Sequence, residues 1–322
     1  MTQKKTILIF GISSFLGSNL AELLKDDYRI VGTYFNTPVQ IPDVLTVKCD
    51  VHEKEMVQKI TYLFQPDITV YAVGLSSLEN CQEFPKVADA LNTVGVFNVS
   101  AASERYHSKF VYFSSGYIAS GENVAFKEND TPMPSTVYGN TIASSEFYIQ
   151  KSCLNYVILR CCPIFGKSFH PMAPSFIELI DRNEFLGQKV VCDNKIHTGF
   201  IDIYSLVEIF KKIIEMNATN RLFQVSSSDV MTRYDFAKLY LESLGGNTGV
   251  LAKGDWKFPR SENALSMHAL SEELYFKMDT SNIESEVQIQ MKSVAGMIEN
   301  YKKRLAGKIR AKRQQSTGIS YI

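Results

Sequence analysis

Continuous apolar runs alternate with helically spaced ones through the first half of the chain. Ile7-Leu8-Ile9-Phe10 is wholly apolar and ends in a glycine, the pattern of a strand buried on both faces. Leu20, Ala21, Leu23 and Leu24 then recur at helical spacing between Ser18 and Lys25. Tyr28 to Tyr34 and Val44 to Val47 read as the next two strands. Glu53 to Phe64 reads as an amphipathic helix with Met56, Val57, Ile60 and Phe64 on one face. Gln65-Pro66-Asp67 breaks that helix ahead of a fourth strand, Ile68 to Val73. A long helical pattern over Pro85 to Tyr106 and two more apolar strands, Phe110 to Phe113 and Tyr156 to Leu159, extend the series. Such alternation predicts βαβ units and an α/β fold: a Rossmann-type, doubly wound parallel sheet with helices on both faces.

After Gly166 the pattern is mixed. Helical stretches near Pro174 to Arg182, Tyr204 to Met216 and Thr232 to Leu244 are separated by short strands, Lys189 to Cys192 and Leu222 to Val225. The expected organisation is a dinucleotide-binding domain over residues 1–166, completed by part of 196–216. A smaller mixed α/β substrate lobe mainly over 167–300 follows, and then a basic and polar tail over 301–322. In that tail Lys302, Lys303, Arg304, Lys308, Arg310, Lys312 and Arg313 crowd together, as a solvated, fraying helix end or a contact for a protein partner or homodimer.

Composition narrows the function classes. Apolar residues make up 45% and charged residues 21% of the 322, which is ordinary for a globular chain. Lys plus Arg and Asp plus Glu each total 34, so no whole-chain charge calls for nucleic acid or an anionic membrane. The six cysteines, Cys49, Cys81, Cys153, Cys161, Cys162 and Cys192, show no C-x-x-C spacing, so reduced core thiols are expected and no metal. With no signal-peptide pattern and no apolar run of bilayer length, a cytoplasmic protein is expected.

Three segments carry candidate chemistry. Gly11-Ile12-Ser13-Ser14-Phe15-Leu16-Gly17 lies between the first strand and first helix, where backbone N–H groups and the helix dipole can cradle a pyrophosphate. The second strand ends Thr33-Tyr34-Phe35-Asn36, with neither the acid that favours NAD nor a nearby base for a 2′-phosphate. Ser115 precedes Tyr138 by 23 residues, and Tyr138-Gly139-Asn140-Thr141-Ile142 opens a helix.

These motifs resemble the extended short-chain dehydrogenase/reductase superfamily, in its dTDP-4-dehydrorhamnose reductase-like branch, over about residues 6 to 300. The resemblance rests also on Pro66-Asp67-Ile68, Ala90 to Gly95, Glu128 with Pro132, and Phe258 to Leu265. It implies that Tyr138 is the catalytic acid and Ser115 its partner. It also implies that Ile142 stands where the family's Tyr-x-x-x-Lys motif has its lysine. The implied cofactor is NADP or NAD, held by Gly11, Ser14, Phe15, Leu16, Gly17, Asn36, Asp50, Val51, Ala72, Val73, Gly74, Asn92, Ser114 and Pro163. Ser14 replaces the loop's middle glycine, and Asp50 reads equally as an adenine contact or a helix cap. Residues i and i+4 share a helix face, so Ile142 offers Tyr138 no cation. Arg160 and Lys109 are the candidate substitutes by chain proximity.

Three functions follow. The first is a reductase of a nucleotide-linked 4-keto-6-deoxy sugar or related carbonyl. The second is a catalytically impaired binding or regulatory protein, as the similar β-subunit of methionine adenosyltransferase suggests. The third is an epimerase or lyase using another base, with His107, His170, His197 and His268 available.

Overall fold

The computed structural model of the chain describes residues 4–169, 174–254 and 273–317, with side chains as far as Gly307. Seven parallel strands form the central sheet: β1 (Thr6–Phe10), β2 (Arg29–Tyr34), β3 (Leu45–Lys48), β4 (Ile68–Tyr71), β5 (Lys109–Ser115), β6 (Tyr156–Cys161) and β7 (Arg221–Val225). Their order is β7-β6-β5-β4-β1-β2-β3, so the winding reverses between β1 and β4. That switch point opens a crevice at the carboxyl ends of the strands.

Strand periodicity explains the two layers. Ile7, Ile9, Val70, Val111 and Leu159 face one core with the helices Phe15–Leu24 and Ile203–Glu215. Leu8, Phe10, Tyr71, Phe110, Tyr112 and Ile158 face the other, with Lys54–Phe64, Gly95–Arg105 and Val137–Ser152. Both faces are covered, which is why the strands read as unbroken apolar runs.

The predicted Pro85–Tyr106 helix is present in three pieces: Pro85–Asp89, a π-turn over Ala90–Val94, and Gly95–Arg105. The helix Leu78–Glu83 had no clear periodic signal. Beyond residue 166 the helix Ile203–Glu215 returns to the sheet, and so does the strand β7. The mixed pattern had suggested that β7 belongs to the smaller lobe. A five-residue edge strand with an exposed Arg221 does not announce itself as part of a large sheet. The smaller lobe is built on short parallel pairs, Val190–Cys192 with Leu251–Lys253 and Ile196–Thr198 with Leu274–Phe276.

The basic tail continues a helix, Val294–Thr317, that starts inside the core. Val294, Met297, Ile298 and Tyr301 are buried. Lys302 donates to the Ser243 carbonyl, and Arg304 pairs with Glu208. The segment Phe258 to Leu265, with His170 and His268, lies outside the described residues. Among those described, no helix is long and apolar enough to cross a membrane.

The turn from β1 into the first helix is tightly packed against backbone. Gly11 has φ +90°, and a Cβ on Gly17 would stand 2.3 Å from the Gly11 carbonyl oxygen. A backbone atom cannot swing aside, so Gly17→Ala is expected to destabilise the protein by about 2 kcal/mol, read by chemical denaturation.

Candidate active site

A cleft of about 370 Å³ opens over the switch point. It is lined by Ser14, Phe15 and Leu16 from the first turn, Ala72, Val73 and Gly74 after β4, and Asn92. Ser114, Ser115, Tyr138, Ile142 and Pro163 also border it. Gly11 and Gly17 shape the turn beneath it without lining it. Asn36, Asp50 and Val51 also lie outside the lining. Asn36 is exposed and Val51 is buried in the core. The Asp50 carboxylate accepts from the His52 backbone N–H (2.9 Å) and meets its ring Nδ1 (2.8 Å).

Ser14 caps the first helix: its Oγ accepts from the Gly17 N–H at 2.9 Å. This hydroxyl does the local work expected of a serine at an N-cap. The backbone N–H groups of Phe15 and Leu16 have no acceptor within the described chain, and both residues border the cleft. Two free amides at a helix N-terminus suit a phosphate.

Asn92 fastens the loop after β4. Its Oδ1 accepts from the Leu75 N–H (2.9 Å), and its amide donates to the Leu75 carbonyl (3.0 Å) and to Thr141 Oγ1 (3.1 Å). The π-turn places this one side chain between the loop and the helix Val137–Ser152. Ser145 donates back to the Asn92 carbonyl at 2.6 Å.

Thr136 caps that helix through the Gly139 N–H. A Cβ on Gly139 would stand 2.3 Å from the Tyr117 carbonyl oxygen, so the helix start sits directly against the end of β5. Tyr138 thereby meets Ser115, whose hydroxyl hydrogen bond favours the phenolate, and Tyr117, edge-on with ring centroids 6.2 Å apart. Burial nevertheless pushes the Tyr138 phenol well above its ordinary value, with the hydrogen bond from Ser115 opposing in part.

Ile142 is buried, packs in the core and borders the cleft one turn from Tyr138. Neither expected substitute cation reaches the site. Arg160 grips Glu146 through three hydrogen bonds, Nε to Oε1 at 3.0 Å, Nε to Oε2 at 3.2 Å and Nη2 to Oε2 at 2.8 Å, with both side chains 2% exposed. Lys109 lies at the start of β5, bonded to Asn155 Oδ1 and the Ala218 carbonyl. Chain proximity misled because a strand's two ends are far apart in space. The cation that does border the cleft is Arg233, on the smaller lobe. Sequence reasoning missed it, although an arginine in a helix's first turn runs against the dipole preference and was a usable signal. Tyr117, Leu75 and Ser76 also join the lining. Cys162 borders it as an inert thiol, pushed up to about 12 by burial.

The family model of the RmlD substrate binding domain matches residues 5–304. The chain is 27% identical over 239 residues to the dTDP-4-dehydrorhamnose reductase of Aggregatibacter actinomycetemcomitans, covering 72% of this chain and 76% of that one. It is 21% identical over 239 residues to the methionine adenosyltransferase 2 subunit beta of Danio rerio, covering 73% and 72%. Among solved structures, a dTDP-4-dehydrorhamnose reductase from Bacillus anthracis in complex with NADP superposes with a TM-score of 0.77 at 18% identity, covering 94% of this chain and all of that one (100%). MoeE5 in complex with UDP-glucose and NAD gives a TM-score of 0.75 at 16% identity, covering 93% and 99%. These two show the fold.

The buried Arg160–Glu146 pair generates a stability prediction. Arg160→Met should cost about 3–5 kcal/mol by leaving Glu146 buried and unpaired. Adding Glu146→Leu should regain much of that, as a double-mutant cycle in denaturant would read.

Proposed function

The chain belongs to the RmlD substrate binding domain family, and on that premise we propose that it is a nicotinamide-dinucleotide-dependent reductase of a nucleotide-linked 4-keto-6-deoxy sugar or related carbonyl. One observation carries the reading: a single cleft at the switch point gathers the phosphate turn, the loop fastened by Asn92 and the Ser115–Tyr138 pair. The free Phe15 and Leu16 amides and the cap at Ser14 suit a dinucleotide phosphate. The end of β2 carries no charge to choose between NAD and NADP, so both remain candidates.

A nicotinamide bound there would supply the hydride. In this reading Ser115 holds the substrate carbonyl oxygen and Tyr138 passes it the phenolic proton. The direction of the Tyr138 shift favours reduction. A raised value keeps the phenol protonated through the neutral range, the form a proton donor requires. The reverse reaction requires phenolate, which Ile142 does nothing to stabilise.

A second reading is favoured by that same Ile142: a family member that keeps the binding cleft and serves as a cofactor- or nucleotide-sugar-binding regulatory protein. The likeness to a methionine adenosyltransferase subunit supports it. An epimerase or lyase draws less support, since no described histidine lines the cleft.

Calorimetric titration with NADH and NADPH, followed by nicotinamide absorbance with 4-keto nucleotide sugars, separates these. Binding with turnover is expected. Binding without turnover favours the regulatory reading, and no binding of either cofactor defeats the reductase.

Tyr138→Phe should lower kcat by about 10²–10⁴-fold. The sign of the pH dependence follows from the raised value: Tyr138 acts while protonated, so kcat for reduction should stay level through neutral pH. It should fall only above the ordinary phenol range. Ile142→Lys should bring that alkaline fall to lower pH, and a wild-type fall near neutrality would refute the assignment.

A further inference from the structure

A second cavity, of about 670 Å³, lies between the smaller lobe and the loop after β4. Phe176, Cys192, Asp193, Thr198 and Glu79 are among its walls. It joins the catalytic cleft at Ser76, Tyr117 and Arg233, which line both. Among the described residues, Arg233 is the one lysine or arginine that lines either cavity.

Arg233 has no hydrogen-bond or ion-pair partner among the described residues, and its guanidinium lies 5.7 Å from the Phe176 ring centroid. The ring supports the flat face of the guanidinium and leaves its edge donors free. The residue opens the helix Arg233–Leu244, so its charge adds to the positive end of the helix dipole. That arrangement disfavours the empty state and favours an anion. The Asp193 carboxylate forms no ion pair with Arg233 and is held by the Lys195 and Ile196 backbone N–H groups, both at 3.0 Å. At Tyr117, where the cavities join, the charge of Arg233 acts more strongly than that of Asp193. Glu79 accepts from the Ser77 hydroxyl at 2.8 Å.

We propose that Arg233 binds the diphosphate of a nucleoside-diphosphate-linked ligand, with the sugar in the catalytic cleft and the nucleoside in the second cavity. The proposal rests on the nucleotide-sugar reading and names the residue that would select for it. A nucleotide sugar carries its two negative charges between its ends. With the carbonyl at Ser115 and Tyr138, those charges fall where the cavities join. A guanidinium fork matches two phosphate oxygens at once, which a lysine does not.

The test is calorimetric titration of the full chain with dTDP, UDP, GDP and ADP, and with the parent nucleosides, for wild type, Arg233→Met and Arg233→Lys. NADPH is titrated in parallel, and unfolding temperatures check that each variant folds. Arg233→Gln replaces any methionine variant that does not. The diphosphate that binds wild type best should bind Arg233→Met about thirtyfold more weakly. Arg233→Lys should regain part of that loss, and NADPH should change less than about twofold. A diphosphate loss below about threefold overturns the role of Arg233 and leaves the reductase reading standing. An equal loss for NADPH assigns Arg233 to the dinucleotide and also overturns it. If wild type binds no nucleoside diphosphate, the substrate reading itself fails and the proposal fails with it.

Discussion

The buried pair of Arg160 and Glu146 ties together the elements on which the site depends. Arg160 comes from β6 and Glu146 from the helix that carries Tyr138. Ser114, at the end of β5, donates to the same carboxylate. Arg160 also donates to the Glu128 carbonyl at 3.2 Å, and the Glu128 carboxylate accepts from the Gln224 N–H of β7 at 2.9 Å. One polar row thus runs across three neighbouring strands, under the loop that leads to the helix bearing Tyr138. Two charges so far from water are tolerated because each is met by several hydrogen bonds. The cost of misplacing either holds the helix in one position on the sheet.

Asn92 supplies the second fastening, from the other side of the cleft. It joins the loop after β4 to Thr141, and so ties the wall expected to meet a cofactor to the helix bearing the phenol. Burial raises the phenol's proton affinity, and the apolar side chain at position 142 does not oppose it. The positive charge in this region stands instead at the mouth, on Arg233. Charge there bears on what enters the cleft more than on the phenol of Tyr138.

The parallel sheet was legible because a parallel strand covered on both faces must be apolar along its whole length, as Ile7 to Phe10 and Phe110 to Phe113 are. The closeness of Ser115 and Tyr138 was expected only through the family resemblance, which their separation of 23 residues matches; the structure adds that Gly139 must be small where the helix start meets Tyr117. The π-turn was not legible, since Ala90 to Val94 has the same apolar spacing as an ordinary helix. The seventh strand was not legible either, being short and half-polar.

From sequence alone, local periodicity determined the layers of the fold and turn chemistry the glycine-bounded turn into the first helix, while the family resemblance named the residues at one end of the sheet. Tertiary structure alone decided where the charges went. Arg160 and Lys109 looked available in the chain, but one is spent on Glu146 and the other sits at the opposite strand end. Arg233, some ninety residues after Ile142 in the chain, comes to the cleft because the smaller lobe folds back over the strand ends. Side-chain periodicity is a property of neighbours in sequence, whereas an ion pair or a cavity wall depends on segments that only packing brings together.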